Sequence, residues 1–124
     1  MKKFVPVLFV LAFFAAGAFL ASCKSSSKSN PMAPTPADLT ITITGINGSS
    51  SFSPNPATVK VGQTVAWKNS GGTTHTSTAD GGAWNTGDIG NGSTTSPITM
   101  NTSGSFPYHC AIHNSMVGTL NVNP

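Results

Sequence analysis

The sequence predicts an all-β domain, a small Greek-key antiparallel sandwich or barrel, on three observations. Short apolar runs alternate with polar residues at period two. Clusters of Gly, Asn and Ser separate those runs. No segment carries a helical period. Leu39, Ile41 and Ile43 alternate with Thr40, Thr42 and Thr44, as in a half-buried strand. Val59 and Val61 flank Lys60, after which Gly62-Gln63 turns the chain. Val65 and Trp67 alternate with Ala66 and Lys68, and Asn69-Ser70-Gly71-Gly72 reads as the next turn. A second turn cluster runs from Gly87 to Gly92. Ile98 and Met100 flank Thr99, while Phe106, Tyr108 and Cys110 share one face of the following strand. Met116, Gly118, Leu120 and Val122 form a last alternating run. These strands fill residues 37–124. So small a sandwich has a thin core, and a bound metal would add to its stability.

The composition narrows the function. Only 7% of the 124 residues are charged, against about 25% in an ordinary soluble domain. Polarity comes instead from 16 Ser, 16 Thr and ten Asn. There is no Arg and no Glu. Four of the six Lys (Lys2, Lys3, Lys24 and Lys28) lie in the first 30 residues. From Ala37 onward, Lys60 and Lys68 face Asp38, Asp80 and Asp88, a formal charge of −1. No basic face remains for nucleic acid. A carboxylate pair for hydrolysis is not evident, and two cysteines make neither a disulfide scaffold nor a four-thiolate zinc site.

Residues 1–22 read as an export signal. Lys2 and Lys3 are followed by an uncharged, largely apolar run from Phe4 to Ala21. The run is nearly as long as the roughly 20 residues that span a bilayer, so a retained anchor is the competing interpretation. Leu20-Ala21-Ser22-Cys23 decides between them, because it resembles a bacterial lipobox. That resemblance implies cleavage before Cys23, lipidation of its thiol, and an extracytoplasmic, membrane-tethered domain in the periplasm or at the cell surface. Residues 23–36 are rich in Ser and Pro with no apolar period, which describes a flexible linker. With Cys23 acylated, Cys110 is the only thiol left.

The chemistry concentrates in Tyr108-His109-Cys110-Ala111-Ile112-His113-Asn114-Ser115-Met116. Cys110, His113 and Met116 stand three residues apart, and a tight loop at a strand end can turn all three toward one centre. Thiolate, imidazole and thioether form a soft donor set that suits copper better than zinc, calcium or magnesium. A trigonal copper site needs a second imidazole. His75 is the candidate, approaching from a neighbouring strand; His109, next to Cys110 in a strand, should point to the opposite face. Singly, a buried Cys, a Met opening a strand or a loop His is more often plain structure. Together they absorb the only mature thiol and two of the three His.

The segment from Tyr108 through Leu120 resembles the cupredoxins, the type 1 or blue copper proteins, and its short Cys-x-x-His-x-x-Met loop is most like the amicyanin branch. Phe52 to Asn69 looks like the strands that precede the family's first His ligand, and Trp84 to Gly87 and Gly104 to Phe106 fall at family turns. The resemblance implies one type 1 copper ion held by His75, Cys110 and His113 with Met116 as axial ligand. It further implies electron transfer between Cu(II) and Cu(I), with His113 as the edge through which the electron passes. This chain has Thr76 where many members place Asn after the first His. Its backbone N–H is expected to donate to the Cys110 sulfur, tuning the centre. Asn114 and Ser115 make the loop more polar than is common, which argues against a hydrophobic docking rim.

Four protein ligands leave no open position for a substrate, so the expectation is an electron carrier and not an enzyme. Its partners would be redox proteins, met as a monomer, with no nucleic acid and with the membrane reached only through the lipid. Copper storage or delivery is the alternative. It predicts exposed Met or His clusters, which are absent because Met32 and Met100 stand apart.

Overall fold

The structure, a computed structural model, describes residues 35–124. The export segment, Cys23 and most of the 23–36 linker lie outside the described residues. No helix of the described residues is long and apolar enough to cross a membrane.

Eight strands follow one another: β1 (Leu39–Ile43), β2 (Phe52–Ser53), β3 (Ala57–Lys60), β4 (Thr64–Asn69), β5 (Thr78–Ala79), β6 (Ile98–Thr99), β7 (Gly104–His109) and β8 (Val117–Asn123). A single 3-10 turn, Gly48–Ser50, is the only helical piece among them. The strands form two four-stranded sheets, ordered β2-β1-β4-β6 and β3-β8-β7-β5. The all-β class and the sandwich are as the alternation predicts. The sheets, however, are mixed rather than antiparallel, because β1 pairs with β4, and β3 with β8, in parallel. Alternation reports which face of a strand is buried and carries no information on the direction of its neighbour. Here the chain leaves one sheet after β2, visits the other as β3, and returns as β4, so β1 and β4 run the same way.

Burial follows the predicted faces. Ile41, Ile43, Val65, Trp67, Tyr108, Leu120 and Val122 all sit in one core with Phe52, Trp84 and Met116. Tyr108 is wedged at ring-centroid distances of 4.8 Å from Phe52, 6.1 Å from Trp67 and 5.7 Å from Trp84. Gly118, opposite Tyr108 in β8, makes this possible: a Cβ there would lie 2.4 Å from the Tyr108 Cζ. Val61 departs from expectation. It lies past the end of β3 and is exposed, its N–H donating to the Asn123 carbonyl at 2.8 Å.

The strand directions give the sandwich two distinct poles. β1, β4 and β7 end at one, where β8 begins; the Gly48 turn approaches Ser115 there. The start of β1 and the end of β8 lie at the other, beside Gly62 and Met100. At that far pole Asp38 pins β1 to β4. Its Oδ2 accepts from the Thr64 N–H at 2.7 Å and hydroxyl at 2.8 Å, and its own N–H donates to Thr64 Oγ1 at 3.0 Å. The bonds from Thr64 hold the Asp38 carboxyl below its ordinary value of 3.8. A lowered folded-state pKa stabilises above the unfolded value and is lost as pH falls through the folded one. In thermal melts the wild type should therefore be more stable than Asp38→Ala at neutral pH, with the gap closing below pH 3.8.

Candidate metal centre

Three donor atoms meet at the first pole. Cys110 Sγ lies 3.9 Å from His75 Nδ1 and 3.8 Å from His113 Nδ1, and the three lie within 4.8 Å of one another. Donors about 2.0–2.3 Å from one ion in a trigonal plane stand roughly 3.5–4.0 Å apart, so both sulfur–nitrogen separations fit a shared ion. His75, Cys110 and Met116 are fully buried, and His113 is half-buried. The structure thus brings together His75, Cys110 and His113, and the buried Met116 closes the loop that carries the latter two.

The loop is short because it is closed twice. The Cys110 N–H donates to the Met116 carbonyl at 3.1 Å, and the Met116 N–H to the His113 carbonyl at 2.9 Å. Cys110 immediately follows β7 and Met116 immediately precedes β8, so the paired strands fix both ends of the turn. Thr76 joins this loop to the one bearing His75. Its N–H donates to Cys110 Sγ at 3.3 Å, as the sequence suggested, and its hydroxyl accepts from the Ala111 N–H at 2.8 Å. That second bond is how a Thr, in place of Asn, ties the two loops.

His75 is held by main chain and by Asn69. Its N–H donates to the Ile89 carbonyl at 3.1 Å, and the Ile89 N–H donates back at 2.7 Å. Asn69 Nδ2 donates to the Thr73 and Ile89 carbonyls, each at 2.7 Å, and Asn69 Oδ1 accepts from the Gly71 N–H at 2.8 Å. The sequence presents Asn69 as the first residue of a turn. In the structure it is the buried last residue of β4. A signal for this exists, since Asn69 falls in phase with Val65 and Trp67 on the inward face.

Burial holds the His75 ring below its ordinary pKa of 6.5, and His113 adds to that effect. The Gly71 main chain pulls the other way but makes no well-aligned hydrogen bond with Nε2. A ring kept neutral keeps a lone pair for a metal. His109 points away from the group, as expected, and its Nδ1 sits 2.6 Å from Asp80 Oδ1 at the surface. The rim of the pole is not wholly polar, because Ile112, inside the loop, and Ile46 are exposed.

The donor chemistry fits copper: two imidazoles and a thiolate lie together, and a thioether is buried in the same loop. Comparison with solved structures agrees on the fold. The purple cupredoxin of Nitrosopumilus maritimus matches at 24% identity and a TM-score of 0.62, over 69% of this chain and all of its own. The Cu(I) form of a methionine-to-alanine variant of amicyanin matches at 21% identity and 0.62, over 72% of this chain and 85% of its own. A reduced proline-to-glycine amicyanin variant at pH 4 gives 22% identity and 0.61. No family model matches the chain, and no curated protein matches it significantly.

Proposed function

We propose that this chain, which has the fold of the cupredoxins, is a type 1 copper protein that carries single electrons between redox partners outside the cytoplasm. The observation that carries the reading is the convergence of His75 Nδ1, Cys110 Sγ and His113 Nδ1 on one point of a β sandwich. When bound, copper supplies a one-electron couple between Cu(II) and Cu(I). Cys110 provides the thiolate donor, and the Thr76 N–H at its sulfur stabilises charge there. His75 and His113 would hold the copper together with Cys110, and Met116 would add a weak thioether donor.

The two β-fixed loops resist rearrangement when the charge at the site changes. Burial of His75, Cys110 and Met116 excludes water and leaves His113 as the edge nearest solvent. The same burial disfavours storage or delivery, which calls for a site that exchanges metal readily. We assign Cys23 as the lipidated residue and residues 23–36 as the tether, which would place the carrier on a membrane surface.

Titrating the purified protein with Cu(II) tests this reading. An intense thiolate-to-copper band, with narrow copper hyperfine splitting in EPR and saturation at one equivalent, is the expected result. A colourless, loosely held Cu(II) would overturn it.

A further inference from the structure

The two nitrogens of the buried His75 ring meet different surroundings. Nδ1 faces Cys110 Sγ and belongs to the donor group. Nε2 is buried with no hydrogen-bond partner among the described residues. The Gly71 main chain faces that nitrogen without a well-aligned bond, so contact with Gly71 helps to set how deep the ring sits.

The contact is main chain. A Cβ built on Gly71 would lie 2.8 Å from His75 Nε2, 2.9 Å from the Gly45 nitrogen and 3.0 Å from the Gly45 Cα. Gly71 is not among the glycines with positive φ, so its backbone conformation does not call for glycine. The absence of a side chain there makes room. Its neighbour Gly72 is the reverse case, with a φ of 82° and nothing within 4 Å of an added Cβ. Gly71 is itself fixed by Asn69, which also binds the carbonyl of Ile89, the residue bridged to His75. One buried amide therefore locates both the ring and the wall behind it.

We infer that Gly71 is a positioning residue for the metal centre: its bare Cα sets the depth of the His75 ring and so the place of Nδ1 relative to Cys110 and His113. Carbon and nitrogen in ordinary contact stand about 3.5 Å apart, so a methyl at this position must displace the ring by roughly half an ångström or more. On the other side the methyl would meet the Gly45 backbone, which shifts at greater cost than a side-chain tip. Metal–donor distances tolerate only about 0.2 Å. The spectroscopic consequence rests on the copper reading, while the placement of the ring does not.

The test compares Gly71→Ala with Gly72→Ala, which strains the same loop without touching the ring. In metal-free protein, Gly71→Ala should move the His75 imidazole NMR resonances. In Cu(II)-loaded protein it should change the EPR hyperfine splitting and weaken copper binding tenfold or more. Gly72→Ala should lower thermal stability and leave all three signals in place. Wild-type His75 resonances in Gly71→Ala, or the same changes in Gly72→Ala, overturn the inference. Should wild type itself give no copper signal, the functional reading falls, and the metal-free resonances still decide the role of Gly71.

A second arm needs no change at Gly71. In His75→Ala, imidazole added from solution should restore the copper band at concentrations at least tenfold lower than 1-methylimidazole, whose methyl group would point at Gly71. Equal rescue by the two overturns the inference.

Discussion

Replacing Cys110 with Ser is expected to bleach the copper-loaded protein. The strong visible band of such a site comes from charge transfer between the thiolate and Cu(II), and a hydroxyl oxygen is a harder, far less covalent donor. The EPR hyperfine splitting should widen, and Cu(II) binding should weaken by at least tenfold. The fold should survive. Cys110 is fully buried, but Ser is smaller, and the Thr76 N–H that donates to the sulfur at 3.3 Å remains as a partner for the new hydroxyl. Its stability cost should be about 1 kcal/mol, the scale of one modest buried polar change. Absorption and EPR read the site, and circular dichroism confirms the sheets. Retention of the intense band in the Ser variant would sink the assignment of Cys110.

The largest effect on stability should follow truncation of Trp67. It is wholly buried, packs 5.5 Å from Trp84 and 6.1 Å from Tyr108, and stands at the centre of β4. Large aromatic-to-alanine changes in a core cost about 3–5 kcal/mol. A small domain has about 5–15 kcal/mol in all. Trp67→Ala should therefore unfold at much lower urea, and in melts at a temperature lower by more than about 10 °C. Trp67→Phe is the informative partner. The buried indole Nε1 faces the buried Tyr108 hydroxyl without forming a well-aligned bond to it, so removing the N–H gives up only a weak interaction. The Phe variant should lose less than half as much as the Ala variant. Equal losses would mean that the indole N–H contributes more than its geometry suggests.

Much of this architecture was legible because burial in a sandwich is written as alternation. Leu39 to Ile43, Val65 to Trp67 and Leu120 to Val122 each show it directly, and the structure places them as β1, β4 and β8. The two-residue strands β2 and β5 were not legible, since two residues cannot display a period. Parallel pairing was hidden for a different reason: it is a property of the crossovers. At the site, residue type sufficed for Cys110 and His113, which share one loop, and scarcity pointed to His75. Asn69, the Thr76 hydroxyl and Gly71 were harder. A buried amide, a loop tie and an absent side chain look in sequence like ordinary turn residues, and only their neighbours in space give them meaning.

The placement of the start of β1 and the end of β8 has a practical consequence. Both the start of β1 and the end of β8 lie at the pole opposite His75, Cys110 and His113. A protein captured on a gold or carbon surface through an added C-terminal tag would present its half-buried His113 to the solution. It would also hold the proposed copper a full strand's length from the support, about 20 Å for a strand of β8's length. Such a film should exchange electrons more readily with a dissolved mediator than with the electrode beneath it. Wiring it directly would require an attachment at the other end, for instance a cysteine in place of the exposed Ile46.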